Sequence, residues 1–222
     1  MSGTLTLYSY WRSSAVYRVR IALNLKGLDY AIAPVHLVRD GGEQHHDEYR
    51  KLNPQQLVPV LVDGDNVIRE SLAIIEYLEE AYPHTPRLLP SGALACARVR
   101  SLAQAVACDI HPLGNLRVLQ YLQRKLGVDE EQKLAWSRHW IETGFDAIET
   151  VLGGGGRKSV FCEGDVPTLA DCCLIPQVYN ARRFGISLAR YPVIDAIDAL
   201  CRGIEAFKLA APEAQADAPA AG

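Results

Sequence analysis

No stretch of this 222-residue chain is apolar for long enough to cross a membrane. Its start, Met1-Ser-Gly-Thr4, lacks the basic and hydrophobic regions of a secretion signal, so a cytoplasmic protein is expected. Neither sign of charge is in excess: 23 lysines and arginines face 26 aspartates and glutamates, for a net of −3. That balance argues against a nucleic-acid surface and, with 49% apolar residues, against disorder. There is no internal repeat. The six cysteines (Cys96, Cys108, Cys162, Cys172, Cys173 and Cys201) contain no C-x-x-C pair and no zinc-ligand spacing, so no metal site is expected. They read as small buried hydrophobes of a reducing compartment. Cys172 and Cys173, adjacent on one helix, would face different directions rather than form a redox pair. What is present is enough apolar material for one large core or two small ones.

The stretch from Tyr8 to Leu23 organises the rest. Leu5, Leu7 and the aromatics up to Trp11 make a β-prone run over residues 4–10. Ser13 or Ser14 then caps a helix over 14–26, with Ala15, Val16, Val19, Ala22 and Leu23 at helical spacing and Gly27 as its stop. Hydroxyls at a helix start form an anion site, with Arg12 and Arg18 adding charge, and a thiol placed there would ionise more readily. Taken alone, the two serines could equally be plain caps.

Further strands are expected over Tyr30–Leu37, at an edge because of Pro34, and over 60–63 and 67–69 around the turn Asp63-Gly-Asp-Asn66. Short helices fall over His46–Leu52 and from Glu70-Ser71 to Tyr82. The order β-α-β-α-β-β-α describes a small α/β domain over 1–83. Pro86 and Pro90 mark a linker over 84–92. An all-helical domain over 93–212 follows: one long helix from Ala93 to about Leu126, another over Asp129–Leu152, a flexible Gly153–Gly156 turn, a helix over Ala170–Arg183 opened by the box Thr168-Leu-Ala-Asp171, and a last helix over Ala189–Phe207. The tail 213–222, rich in Ala and Pro, reads as disordered.

Four features could share one ligand. Ser13-Ser14 is the first. In Leu57-Val58-Pro59 the residue before proline is held extended, so Val58 could offer its N–H and C=O to a peptide; a cis Val58–Pro59 bond would expose that edge. Glu70-Ser71, at a helix start, could hold a carboxylate. Gln44 stands beside the Asp40-Gly-Gly42 loop. Each has an ordinary alternative: capping, strand initiation, capping again, and solvent-facing loop polarity. Together they fit a tripeptide with two carboxylates and a thiol.

Arg12-Ser-Ser-x-x-x-Arg18-Val-Arg-Ile-Ala-Leu23, Asn53-Pro-Gln-Gln-Leu-Val-Pro59 and Glu70-Ser-Leu-Ala-Ile-Ile-Glu-Tyr-Leu78 resemble the zeta-class glutathione transferases. The resemblance continues through Asp109-Ile-His-Pro-Leu-Gly-Asn-Leu-Arg117, Thr168–Asp171 and Pro176–Phe184. It implies a thioredoxin-like N-terminal domain, an all-helical C-terminal domain and a homodimer. It also implies a glutathione-dependent cis–trans isomerase, turning maleylacetoacetate into fumarylacetoacetate in aromatic amino-acid breakdown by thiolate addition, bond rotation and elimination. By the family pattern Ser13, with Ser14 and Arg12, serves catalysis, and Ser13 bonds the glutathione sulfur. Gln44, Val58, Glu70 and Ser71 hold the tripeptide. Ser13 and Ser14 also bind the cofactor, as do Asp109, His111, Asn115 and Arg117, facing the cleft from the helical domain, and Arg12, His111 and Arg183 take the small dicarboxylate substrate. Two positions depart from the pattern: Glu70 stands where Gln is frequent, and Ala15 where the family commonly has Cys. From the residues alone, His111-Pro112 could be a helix bend and Arg183 a surface charge like Arg182. Isomerisation of maleylpyruvate, general transferase or dehalogenase activity, and a non-catalytic binding module remain alternatives.

Overall fold

The computed structural model describes residues 4–154, 156 and 159–219. It divides into two units, one comprising the chain up to Leu88 together with the stretch from Gly203 onward, the other Leu89–Arg202.

In the first unit, β1 (Leu5–Ser9) buries Leu5, Leu7 and Ser9 on one face, as alternation requires. Ser13 caps α1 (Ser14–Lys26), and Gly27 ends it in the left-handed conformation (φ 65°, ψ 32°) that glycine adopts without strain. β2 (Tyr30–Pro34) is parallel to β1 and forms the sheet edge, where the missing N–H of Pro34 is tolerated. After α2 (Asp47–Leu52), β3 (Val60–Asp63) pairs antiparallel with β1 and forms a hairpin with β4 (Asn66–Arg69), in the order β2-β1-β3-β4. α3 (Ser71–Ala81) packs beside α1. The expected linker is fastened at its near end: Lys26 Nζ bonds both Glu79 (2.7 Å) and Pro86 O (3.2 Å), and Leu88 N–H donates to Glu79 (3.0 Å).

The second unit contains α4 (Ala93–Gln104), α5 (Leu116–Leu126), α6 (Glu130–Gly153), α7 (Leu169–Arg183) and α8 (Pro192–Gly203). Reciprocal capping boxes open α6, through Asp129 and Gln132, and α7, through Thr168 and Asp171. The Asp171 carboxyl accepts from Cys162 N–H, Thr168 N–H and Thr168 Oγ1, and its complete burial raises its pKa.

Four expectations need correction. The helix expected over 93–126 is interrupted: Ala105–Ile110 winds as a π-helical turn and His111–Gly114 as a 3-10 turn, with α5 starting afresh at the Asn115 cap. Pro112 cannot donate to the ladder and crowds the preceding turn, so the chain changes winding there. The helix expected over 189–207 stops at Gly203, and after extended Ile204 a short α9 (Glu205–Ala210) packs on α1 in the first unit, contrary to a helical domain reaching 212. Asn24 Nδ2 donates to Ala206 O (3.0 Å) and Arg20 Nε to Ala210 O (2.9 Å). The tail is placed as far as 219, with a 3-10 turn at Pro212–Ala214; 220–222 lie outside the described residues, as does Gly155 of the glycine turn. Finally, Cys162, Cys172, Cys173 and Cys201 are buried, but Cys96 is half-buried and Cys108 exposed on the π-helical turn.

Candidate active site

The sheet register explains why distant motifs meet. Tyr8 of β1 is opposite Val60 of β3, and Val60 is opposite Arg69 of β4. Because β3 is antiparallel to both neighbours, the end of β1, the start of β3 and the end of β4 lie at one end of the sheet. Ser13-Ser14, Val58-Pro59 and Glu70-Ser71 follow from those three ends. β2 runs parallel to β1, with Ser9 opposite Pro34, so the loop carrying Gln44 leaves from the same end.

Ser13 is extended (φ −69°, ψ 118°), and its Oγ accepts from Val16 N–H at 3.4 Å, so it does cap α1. Ser14 is buried in the first turn. The Arg12 guanidinium lies over the Trp11 ring, 5.4 Å from its centroid. Arg18, buried inside α1, donates from Nη1 to Ser71 Oγ (3.1 Å) and ties the starts of α1 and α3 together. Its place among apolar residues of α1 is the sequence signal for a buried, paired role.

Glu70 occupies the cap position of α3, yet its side chain makes no capping bond. Its backbone sits at φ 68°, ψ 124°, a region costly for a residue with a Cβ, and such conformations persist where surrounding structure imposes them. Plain capping therefore does not account for Glu70. The Val58–Pro59 peptide is cis. Among the described residues no hydrogen bond outside the strand ladder engages the N–H or C=O of Val58.

Gln44 is 6% exposed, not a solvent-facing loop residue. Its Nε2 lies 3.3 Å from Leu37 O and 3.0 Å from His45 Nε2, while Oε1 is buried with no partner among the described residues. Gly42 makes this possible: at φ 103°, a Cβ there would stand 2.5 Å from Gln44 Nε2. Glu43 accepts from His36 N–H (2.7 Å) and pairs with Arg39, and these bonds hold its carboxyl below the usual glutamate range.

The remaining residues belong to the second unit. Asp109 is exposed on the π-helical turn and His111 opens the 3-10 turn. Asn115 caps α5 by accepting from Arg117 N–H (3.2 Å), and Arg117 is exposed in the first turn of that helix. Trp136 Nε1 donates to Leu113 O (2.8 Å), fastening the 3-10 turn to α6. The two arginines ending α7 differ. Arg182 pairs with Asp195 (3.1 Å) and Asp198 (2.5 Å), whereas Arg183 lies over the Phe184 ring at 4.6 Å. Spacing could not separate them; the aspartates on α8 do.

A family model for the glutathione S-transferase N-terminal domain matches residues 7–86. A probable maleylacetoacetate isomerase of Vibrio cholerae is 53% identical over 215 residues, covering 97% of this chain and 99% of that protein. A solved maleylpyruvate isomerase, described as a bacterial zeta-class glutathione S-transferase in holo form, superposes with a TM-score of 0.93 at 50% identity, covering 96% of this chain and all of that one. This chain belongs to the zeta class of glutathione transferases. A maleylacetoacetate isomerase of Methylobacterium extorquens, solved with malonate and GSH bound, has a TM-score of 0.92 at 42% identity, covering 97% of this zeta-class chain and all of its own. The thioredoxin-like first domain and the helical second domain are those of the family. Among the described residues no group of His, Cys, Asp and Glu could hold a metal ion, and no helix is long and apolar enough to cross a membrane.

Proposed function

We propose that this protein is a glutathione-dependent cis–trans isomerase converting maleylacetoacetate to fumarylacetoacetate. The observation that carries this is the gathering of the α1 start, Val58-Pro59 and the strained Glu70-Ser71 at one sheet end, in a chain of this family.

The residues present fit glutathione. Gln44 Oε1 is a buried acceptor in want of a donor. The backbone of Val58 is suited to a peptide strand, the Glu70 carboxylate to an ammonium, and the Ser71 end of α3 to a carboxylate. Bound glutathione would supply a thiolate that adds to the olefin, leaves a bond free to turn, and departs once the trans form is reached.

The protein's own residues do the remainder. Ser13 accepts from Val16 N–H, and its hydroxyl proton would be the donor to the sulfur. With the positive end of the α1 dipole it favours the ionised thiol; each pKa unit requires about 1.4 kcal/mol of differential stabilisation. Ser14 supplies the adjoining N–H of the first turn. Arg12, steadied by Trp11, faces the negative charge that develops as the olefin is attacked. Arg183, which lies over the Phe184 ring, takes a substrate carboxylate, as the family pattern implies. By the family pattern Asp109, His111, Asn115 and Arg117 are the candidates for further polar contacts with glutathione. The protein acts in the cytoplasm as a homodimer, and light scattering of the purified protein tests the dimer.

Incubation with maleylacetoacetate, with and without glutathione, is the test. Turnover should require the thiol, and Ser13→Ala should lower it by about 10²-fold, as for loss of one preorganised donor. Equal turnover without glutathione refutes the reading. Maleylpyruvate is the second substrate to assay, because a 50% identical neighbour carries that name.

A further inference from the structure

The turn presenting Arg12 and Ser13 is held from outside itself. Ser13 N–H donates to Tyr10 O (3.0 Å), closing a tight turn with Trp11 and Arg12 at its corners. Both backbone groups of Trp11 are bound by distant side chains. Its N–H donates to Asp217 Oδ2 (2.9 Å), and its C=O accepts from Arg20 Nη2 (2.9 Å). Arg20 is wholly buried, and it also donates from Nε to Ala210 O and from Nη1 to Ser9 Oγ (3.4 Å). Gln215 Nε2 donates to Leu209 O and Ala211 O (2.9 Å each), fixing the segment that bears Asp217 to the end of α9.

We infer that Asp217 and Arg20 are positioning residues for the catalytic turn, with the C-terminal segment as a strap that aims the Ser13 hydroxyl. This rests on the glutathione reading above. Two peptide planes, on either side of Trp11, are pinned, so the turn that leads into Ser13 cannot rotate. A hydroxyl stabilises a thiolate only along a narrow range of angles, so the orientation of that turn sets how far the thiol ionises. Asp217 Oδ1, meanwhile, is buried with no partner among the described residues. A half-buried carboxylate with one oxygen buried and unmatched is a poor device for stability alone.

The test uses the full-length protein and its Asp217→Ala and Asp217→Asn variants. Ultraviolet absorbance of the thiolate in the glutathione complex is titrated against pH, beside the pH profile of kcat and the melting temperature. Asp217→Ala should raise the thiol pKa of the complex by about half a unit or more and lower kcat on the acid limb roughly three- to tenfold. Asp217→Asn keeps an acceptor oxygen and should restore most of both. An unchanged titration in Asp217→Ala, whatever its melting temperature, overturns the inference, as does an Asn variant no better than Ala. If the unaltered protein shows no thiolate signal with glutathione, the glutathione reading itself fails, a result distinct from either.

Discussion

Gly144 lies mid-helix in α6, where alanine would ordinarily be favoured by about 1 kcal/mol. Here a Cβ would stand 2.2 Å from Ile110 Cδ1 and 2.3 Å from Cγ1. Carbon atoms settle about 3.5–4.0 Å apart, so the overlap exceeds an ångström. Ile110 is buried and β-branched, and its stiff χ1 leaves no cheap retreat. Overpacking of this kind costs about 1–3 kcal/mol. Taking the upper end against the gain in helix propensity leaves Gly144→Ala destabilising by about 2 kcal/mol, or a loss of ~4–8 °C in melting temperature. Ile110→Ala removes both clashing atoms while sparing the Cβ, 3.6 Å away. Combined with Gly144→Ala it should cost less than the sum of the single changes by ~1 kcal/mol or more. Calorimetry of the four proteins completes the cycle. Because Ile110 is followed directly by the turn bearing His111, Gly144→Ala should also raise KM for the diacid. A stabilised Gly144→Ala protein, or strict additivity with Ile110→Ala, refutes this account of the contact.

Lys26→Met should destabilise by about 3–5 kcal/mol, because Glu79 would be left buried without its ammonium, and Lys26→Met/Glu79→Leu should recover part of that loss in denaturant titrations. Of the described cysteines, Cys108 should react fastest with a thiol reagent in the folded protein. Burial raises the pKa of Cys172 and Cys201, so these should react only after unfolding, which peptide mapping can score. The Glu43 carboxyl is held below its ordinary 4.5, chiefly by the His36 N–H and then by Arg39. The stability it contributes is therefore complete above that value and is lost as acidification passes the lower folded-state pKa. Amide exchange at His36 should accelerate, and glutathione affinity fall, only in that acidic window; loss already at neutral pH would refute the role of this carboxylate.

Many element ends were legible because their signals are local. The Ser13 cap, the Gly27 stop, the Asp63–Asn66 turn and the Thr168–Asp171 box each depend on a few neighbouring residues, and the structure places all four as expected. The site motifs were recognisable as a set, but their geometry was not. Glu70 reads as a cap yet is held at positive φ without capping. Gln44 reads as loop polarity yet is buried, because Gly42 lets its amide fold inward. The break at residues 105–114 was hidden because the apolar pattern continues across it, while Gly144 and Trp136 of α6 fix the altered path.

By itself the sequence determined the caps and stops that carry a local signal, which faces are apolar, and which family the chain resembles. Those depend on backbone propensities and caps that act within a turn or two. Only the tertiary structure decided that Arg182 is held by Asp195 and Asp198 of α8, and that α9 returns to pack on α1. It also decided that Arg20 holds both Trp11 and Ala210, the latter 190 residues from Arg20 in sequence. A buried charge must find its partners wherever the packed chain brings them, and no local pattern records that distance.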